Sequence, residues 1–402
     1  MADKKDSDYQ RCDFCLHSKD DVKKLIVGND VAICNECVKL CESLLDGDDL
    51  SAAADLTSID PVELKQYLDY YVVGQDSAKI AISVAIANHY KRITHNSKNT
   101  EISKANLLMI GPTGSGKTLL AQSVARYLDV PFAIADATSV TEAGYVGDDV
   151  ESLISKLLAA ADGEVERAQK GIIFVDEIDK ISRKSENASV TRDVSGEGVQ
   201  QALLKIVEGT VCRVPQQGGR KHPGSEMVDV DTTDILFIAG GAFVGIDDII
   251  KNRRDGTGMG FHAKVTKDTD SDLSDAVPDD FVRFGLIPEF VGRFPSYVSL
   301  HQLDVDHLVH VLTEVKNSLV SQYRFIFGID DIDLEFDQSA LELVAQRTIE
   351  KKTGARGLHS ELERILQPHM FYIKQYQKQR IKTLRITESQ VNTPTVLTAE
   401  GD

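Results

Sequence analysis

"GPTGSGKT", residues 111–118, stands between a short apolar run, "NLLMI", and a stretch of helical period, "KTLLAQSVARYL". It matches G-x-x-x-x-G-K-[ST] in the strand-to-helix setting that gives the pattern its meaning. The glycines let backbone N–H groups curl around phosphates, and the helix that follows directs its positive end at them. Pro112, Thr113, Gly114, Ser115, Gly116, Lys117, Thr118 and Leu119 are therefore candidate nucleotide contacts. Lys117 is expected to reach the β- and γ-phosphates, and Thr118 to ligate Mg²⁺.

The second half of such a site lies further along. In "GIIFVDEID", residues 171–179, four apolar residues form a strand that ends on Asp176 and Glu177. Asp176 is placed to hold Mg²⁺ through water, and Glu177 to polarise the attacking water. Two acids after a strand would alone read as a solvated loop. Paired with a phosphate loop, they make the chain an NTPase.

Working outward, "PFAIAD" and "DILFIAG" add short strands, and "DSAKIAISVAIANHYKRI" adds a helix before the first one. Strands alternating with helices predict an α/β fold, a parallel sheet with helices on both faces. This large domain is expected over 61–300. Beyond it, "DHLVHVLTEVKNSLVSQYRFIF", "QSALELVAQRTIEKK" and "RGLHSELERILQPHMFYIKQY" read as amphipathic helices, followed by a β-like "TLRIT". They predict a small, mainly helical domain over 305–402. The Asp-rich stretch 268–280 reads as a solvated loop.

Residues 1–45 hold two C-x₂-C pairs, "CDFC" (12–15) and "CNEC" (34–37), separated by 18 residues. That spacing points to a Cys₄ zinc site formed by Cys12, Cys15, Cys34 and Cys37. Four thiolates leave no open position, so Zn²⁺ here is structural; a disulfide set is the alternative, disfavoured in a cytosolic chain. Cys41 and Cys212 read as small apolar residues. Residues 46–60, "DGDDLSAAADLTSID", are small and acidic and read as a flexible linker.

A formal net charge of −18 over 402 residues works against nucleic acid and anionic lipid as partners. Seven Lys/Arg against eight Asp/Glu in residues 1–41 leave no basic footprint on the zinc segment. The longest apolar stretch, "ILFIAGGAFVGI" at 235–246, is too short to span a bilayer and is interrupted by glycines. "MADKKDSDYQ" has no apolar core of a secretory signal, so a cytoplasmic protein is expected. One loop asks for a separate reason: "EAGYVGDD", 142–149, offers Tyr145 and Val146 between glycines, outside any hydrophobic period.

The phosphate loop and acid strand, with "YVVGQDSAK" (71–79), "EAGYVGDDVE", "TRDVSGEGVQQALLKIVEGT", "GRKHPG", "LIPEFVGRF" and "KTGARGL", together resemble the ClpX family of AAA+ unfoldases. The resemblance runs from Cys12 to about residue 375, in the family's order. It implies ATP at the junction of the two domains, with Val73, Gly74 and Gln75 beside the adenine. It implies a homo-hexameric ring in which Arg293 is an arginine finger toward the neighbour's ATP and Arg356 a sensor arginine. Tyr145 and Val146 would grip an unfolded chain in the channel, and the loop around "TRDVSGEG" would line its lower part. Arg220, Lys221 and His222 would rim the entrance and attract the terminal carboxylate of tagged proteins. Met259, Gly260 and Phe261 would dock a ClpP-type peptidase, methionine standing where the family has an aliphatic residue. The zinc domain would dimerise and receive adaptor proteins.

In one respect the chain departs from many AAA+ proteins. Ala239, Gly240 and Gly241 offer no polar sensor side chain at the end of "DILFIAGG", and no residue is assigned that role. The alternatives are a remodelling chaperone that works without a peptidase and, with less support, a nucleic-acid remodelling ATPase.

Overall fold

The computed structural model describes residues 11–15, 17–18, 22–27, 31–35, 37–38, 56–95, 102–141, 149–183, 196–216, 226–256 and 273–394. The chain divides into two compact units, Met1–Ala54 and Asp55–Asp402. In the first, strand β1 (Leu25–Val27) pairs antiparallel with β2 (Ala32–Cys34), Leu25 opposite Cys34. Its apolar cluster is made of Cys12, Cys34 and Cys37, with Cys15, Val22, Leu25 and Ile33 packed against them.

The second unit is built on strands β3 (Leu107–Ile110), β4 (Phe132–Asp136), β5 (Ile172–Asp176), β8 (Leu236–Gly241) and β9 (Ser296–Ser299). They form one sheet in the order β4-β5-β8-β3-β9, every pair parallel. All residues of β3 and β8 are buried, as near-continuous apolar runs should be in the middle of a parallel sheet. The edge strand β4 alternates instead and leaves Ile134 exposed.

Alternate residues serve opposite faces. Leu108, Ile110, Ile173, Val175, Phe237 and Ala239 join a cluster with the helices Glu151–Ala160 and Glu197–Glu208. The helix Lys117–Leu128 packs on β5 and β8. Strands β6 (Val211–Pro215) and β7 (Met227–Asp231) form a separate antiparallel pair, and Cys212 on β6 is buried in the core. The fold is a parallel α/β sheet covered by helices.

Past β9 the chain is mainly helical, around Leu308, Leu312, Phe327, Leu341, Leu362 and Leu366. The stretch 306–327 is not one helix. It divides into Val305–Thr313 and Leu319–Ile329, because Asn317 turns left-handed at φ +60° and the Ser318 side chain caps the second helix through the Ser321 N–H. Strand β10 (Asp333–Phe336) pairs parallel with β11 (Thr383–Ile386), the β-like run read near the C-terminus.

The Asp-rich stretch also differs from a solvated loop. The helix Pro278–Phe284 begins inside it, and Asp280 is fully buried. Its carboxylate accepts from Arg253 Nε at 2.9 Å and from the Val277 N–H at 3.0 Å, so the acid is matched by a cation and caps its own helix. Among the described residues no helix is long and apolar enough to cross a membrane.

Candidate nucleotide-binding site and zinc centre

The sheet order puts β8 between β3 and β5, so the phosphate loop and Asp176 flank the end of one central strand. That crevice at the carboxyl ends of parallel strands is where α/β sheets bind ligands. Gly114 and Gly116 are both left-handed, at φ +78° and +100°. Gly114 also meets the helical region directly: a Cβ there would lie 2.7 Å from the Thr353 carbonyl oxygen. Its own carbonyl accepts from the Ala355 N–H at 3.2 Å. Only glycine satisfies both the turn and the contact. The helix Lys117–Leu128 starts on Gly116 with no side-chain cap, leaving first-turn N–H groups to face the crevice.

Lys117 is buried, and its Nζ donates to the carbonyls of Gly111 at 2.6 Å and Pro112 at 3.0 Å. Burial pushes its pKa below the usual lysine value, while Asp176 and Asp179 oppose that fall. Thr118 Oγ1 donates to Asp176 Oδ2 at 3.1 Å, bringing a hydroxyl and a carboxylate together across the crevice. These two oxygens are the donor set that suits a hydrated Mg²⁺. Glu177 is left-handed at φ +57°, and its N–H donates to Asp176 Oδ1 at 2.9 Å. Ser115 is buried just outside this set, and Leu119 lines the cleft with 41 % of its surface exposed.

Arg356 opens the helix Arg356–Phe371 and points back into the same cleft, with its guanidinium 4.0 Å from Asp176 Oδ2. It reaches there because the loop Thr353–Ala355 lies on Gly114. Gln75 ties the phosphate loop to the segment that follows β9. Its amide nitrogen donates to the His301 carbonyl at 2.8 Å and its oxygen accepts the His301 N–H at 3.0 Å. The same nitrogen lies 3.4 Å from the Ser115 carbonyl. Gly74 approaches His307 so closely that a Cβ would stand 3.1 Å from the ring, and Val73 beside it is half-buried.

Arg293 is elsewhere. It is half-exposed and pairs with Glu208, at 2.9 Å through Nε and 2.7 Å through its terminal nitrogen. Tyr145, Val146, Arg220, Lys221, His222, Met259, Gly260 and Phe261 lie outside the described residues. Sequence reading missed Asp179 and Lys180, which also line the cleft. A signal existed: "DEIDK" carries a third acid and a lysine directly after the acid pair, and residues Ile178–Ile181 form a short 3₁₀ turn that keeps them beside the strand end.

In the first unit the sulfurs of Cys12, Cys15, Cys34 and Cys37 all lie within 4.8 Å of one another, Cys15 and Cys34 at 3.6 Å. Tetrahedral Zn²⁺ with Zn–S near 2.3 Å puts its sulfurs about 3.8 Å apart, so the set fits the ion. Cys12 Sγ accepts the Cys34 N–H at 3.2 Å, and Cys34 Sγ the Cys37 N–H at 3.4 Å. Burial would raise the Cys12 thiol, but the N–H groups of Cys15, Cys34 and Phe14 bring it down to about 6. Cys37 is pushed up by burial and by the neighbouring sulfurs. Crowded thiols cannot all ionise alone; a dication lets them.

Known proteins show the same parts. A profile described as the ClpX C4-type zinc finger matches residues 10–47, and one for the AAA domain (Cdc48 subfamily) matches 102–297. A third, for the C-terminal, D2-small domain of ClpB protein, matches 303–384. The chain is 50 % identical over 369 residues to a protein of Treponema denticola named "ATP-dependent Clp protease ATP-binding subunit ClpX", covering 90 % of this chain and 89 % of that one. A protein of the same name from Borrelia duttonii is 48 % identical over 410 residues, covering 99 % and 95 %.

Proposed function

The chain belongs to the ClpX family and is an ATPase, and from that premise we propose that it is an unfoldase that threads tagged proteins through a homo-hexameric ring into a ClpP-type peptidase in the cytoplasm. One observation carries the ATPase chemistry behind it: Lys117, Thr118, Asp176, Glu177 and Arg356 line a single cleft between the phosphate loop and the helical region. The working division is a zinc domain over 1–45, a linker over 46–60, a large domain over 61–300 and a small domain over 305–402.

Each residue has a stated task. Lys117 leaves the carbonyls of Gly111 and Pro112 for the β- and γ-phosphates. Thr118 and Asp176 hold Mg²⁺, which supplies charge neutralisation on the phosphates. Glu177 accepts the proton of the attacking water as its oxygen bonds to the γ-phosphorus; the bond to the bridging oxygen breaks, and its electron pair stays on ADP. Val73, Gly74 and Gln75 hold the adenine at the junction. Arg356 reads the nucleotide from the small domain, and Arg293 exchanges Glu208 for the neighbour's phosphates. Tyr145 and Val146 grip the chain, Arg220, Lys221 and His222 receive its terminal carboxylate, and Met259-Gly260-Phe261 docks the peptidase. The zinc domain receives adaptors.

The test is degradation of a tagged fluorescent protein by purified chain, ATP and a ClpP-type peptidase. Loss of fluorescence with peptide release is expected, and Glu177→Gln should bind ATP and assemble yet turn over very slowly. Loss of fluorescence without peptide release would instead favour the peptidase-independent chaperone that Met259 keeps in view. Stimulation of ATP hydrolysis by DNA, with none by unfolded protein, would overturn the proposal.

A further inference from the structure

Strand β8 ends in Gly240 and Gly241, with no polar side chain to meet a nucleotide. The space such a side chain would take is already filled. A Cβ on Gly241 would lie 2.9 Å from Asp179 Oδ1 and 2.6 Å from the Phe243 ring, and one on Gly240 would lie 2.7 Å from the Phe174 ring. Asp179 comes from the turn after β5, is 5 % exposed and lines the nucleotide cleft.

Its contact is specific. Asp179 Oδ1 accepts the Ala242 N–H at 3.2 Å, and the Gly241 carbonyl accepts the Gly111 N–H at 3.2 Å. That N–H and that carbonyl belong to one peptide unit. A single peptide group at the tip of β8 is thus held on one side by the acid turn and on the other by the first glycine of the phosphate loop. Phe243, directly after it, is buried at φ +48°, which fixes the exit of the strand. Lys180 Nζ lies 3.4 Å from Asp179 Oδ2.

We propose that Asp179 is a positioning residue for ATP hydrolysis that takes the place of the missing sensor on β8, setting the phosphate loop relative to Asp176 and Glu177 through the Gly241–Ala242 peptide. The proposal uses the ATPase activity alone and stands whether or not the protein works with a peptidase. Removing the acceptor frees the Ala242 N–H and lets the strand tip drift, and small displacements of a reacting geometry cost rate more than binding.

The experiment is steady-state ATP hydrolysis by the full chain, with nucleotide affinity and thermal midpoint measured beside it. Asp179→Ala is expected to lower kcat by about tenfold or more while KM for ATP stays within about threefold. Asp179→Asn keeps an acceptor oxygen for Ala242 and is expected to retain kcat within about threefold. A wild-type kcat in Asp179→Ala overturns the proposal, as does a rise in KM without a fall in kcat. If Asp179→Ala does not assemble, Asp179→Asn decides: a folded variant with kcat down tenfold or more refutes a role as hydrogen-bond acceptor.

Discussion

The nucleotide cleft and the zinc knuckle hold their functional atoms in opposite ways. In the cleft, Lys117, Thr118 and Asp176 are carried by a sheet whose central strands are wholly apolar, and Gly114 of the loop fits against Thr353 and Gly354. The geometry follows from a core that needs no ligand. In the first unit the buried described residues are Cys12, Ala32, Cys34 and Cys37. Three of the four are the ligands themselves, so the ion takes the place of a core. One region has a fold that makes a site; the other has a site that makes a fold.

The largest test of that contrast is zinc removal. Binding of structural Zn²⁺ contributes about 10–16 kcal/mol in small Cys/His modules, far more than three buried cysteines supply otherwise. Chelation should therefore abolish hydrogen-exchange protection in β1 and β2. ATP hydrolysis by the same sample should stay within about twofold, because every residue lining the cleft belongs to the second unit. Retained protection after the metal is gone would break the comparison at its first term.

A second test is aimed at the cleft. Gly114→Ala puts a methyl 2.7 Å from the Thr353 oxygen on a residue held at φ +78°. The cost of the left-handed conformation and the clash together is about 2 kcal/mol, which predicts ATP affinity lowered by at least about tenfold with zinc content unchanged. Gly245→Ala is the control. It has the same backbone hand, at φ +92°, with nothing within 4 Å, so it carries the conformational cost alone. Equal effects of the two variants on ATP affinity would show that the close approach to Thr353 is not what shapes the site.

What the residues announce on their own follows the same division. The phosphate loop, the acid strand and the two cysteine pairs are short, local patterns, and each appears in the structure as a compact set of atoms. What stayed hidden depends on distant partners. Strand β9, "SYVS", has two serines in four residues and is a strand because β3 stands beside it. The break between Thr313 and Leu319 turns on Asn317 and Ser318 in an otherwise unbroken amphipathic pattern. Asp280 reads as solvated until Arg253 is seen across from it. Gln75 and His301 are 226 positions apart, and no local period predicts their pairing.

The smallest effect concerns how the sheet unit answers to acid. His89, on the helix Asp76–Thr94, is 3 % exposed, and its Nε2 lies 3.2 Å from the Asp234 carbonyl. A carbonyl only accepts, so the neutral ring carries its proton on Nε2. Burial, with Arg92 and Lys104 nearby, lowers its pKa to about 3. The unfolded chain takes up that proton near pH 6.5 and the folded one does not, so the stabilisation is complete above about 6.5 and is lost as pH falls toward 3. Within that window the slope from this one group approaches about 1.4 kcal/mol per pH unit, or about 1 kcal/mol lost at pH 5.5. His89→Gln keeps a donor for Asp234 and has nothing to titrate, so its urea midpoint should change less between pH 7 and 5.5 than that of the parent chain. Acid should also weaken the metal's hold on the knuckle, because its thiolates take up protons. Measuring midpoints on chelated protein separates the two responses. An unchanged pH slope in His89→Gln would place the acid sensitivity of the sheet unit on other groups.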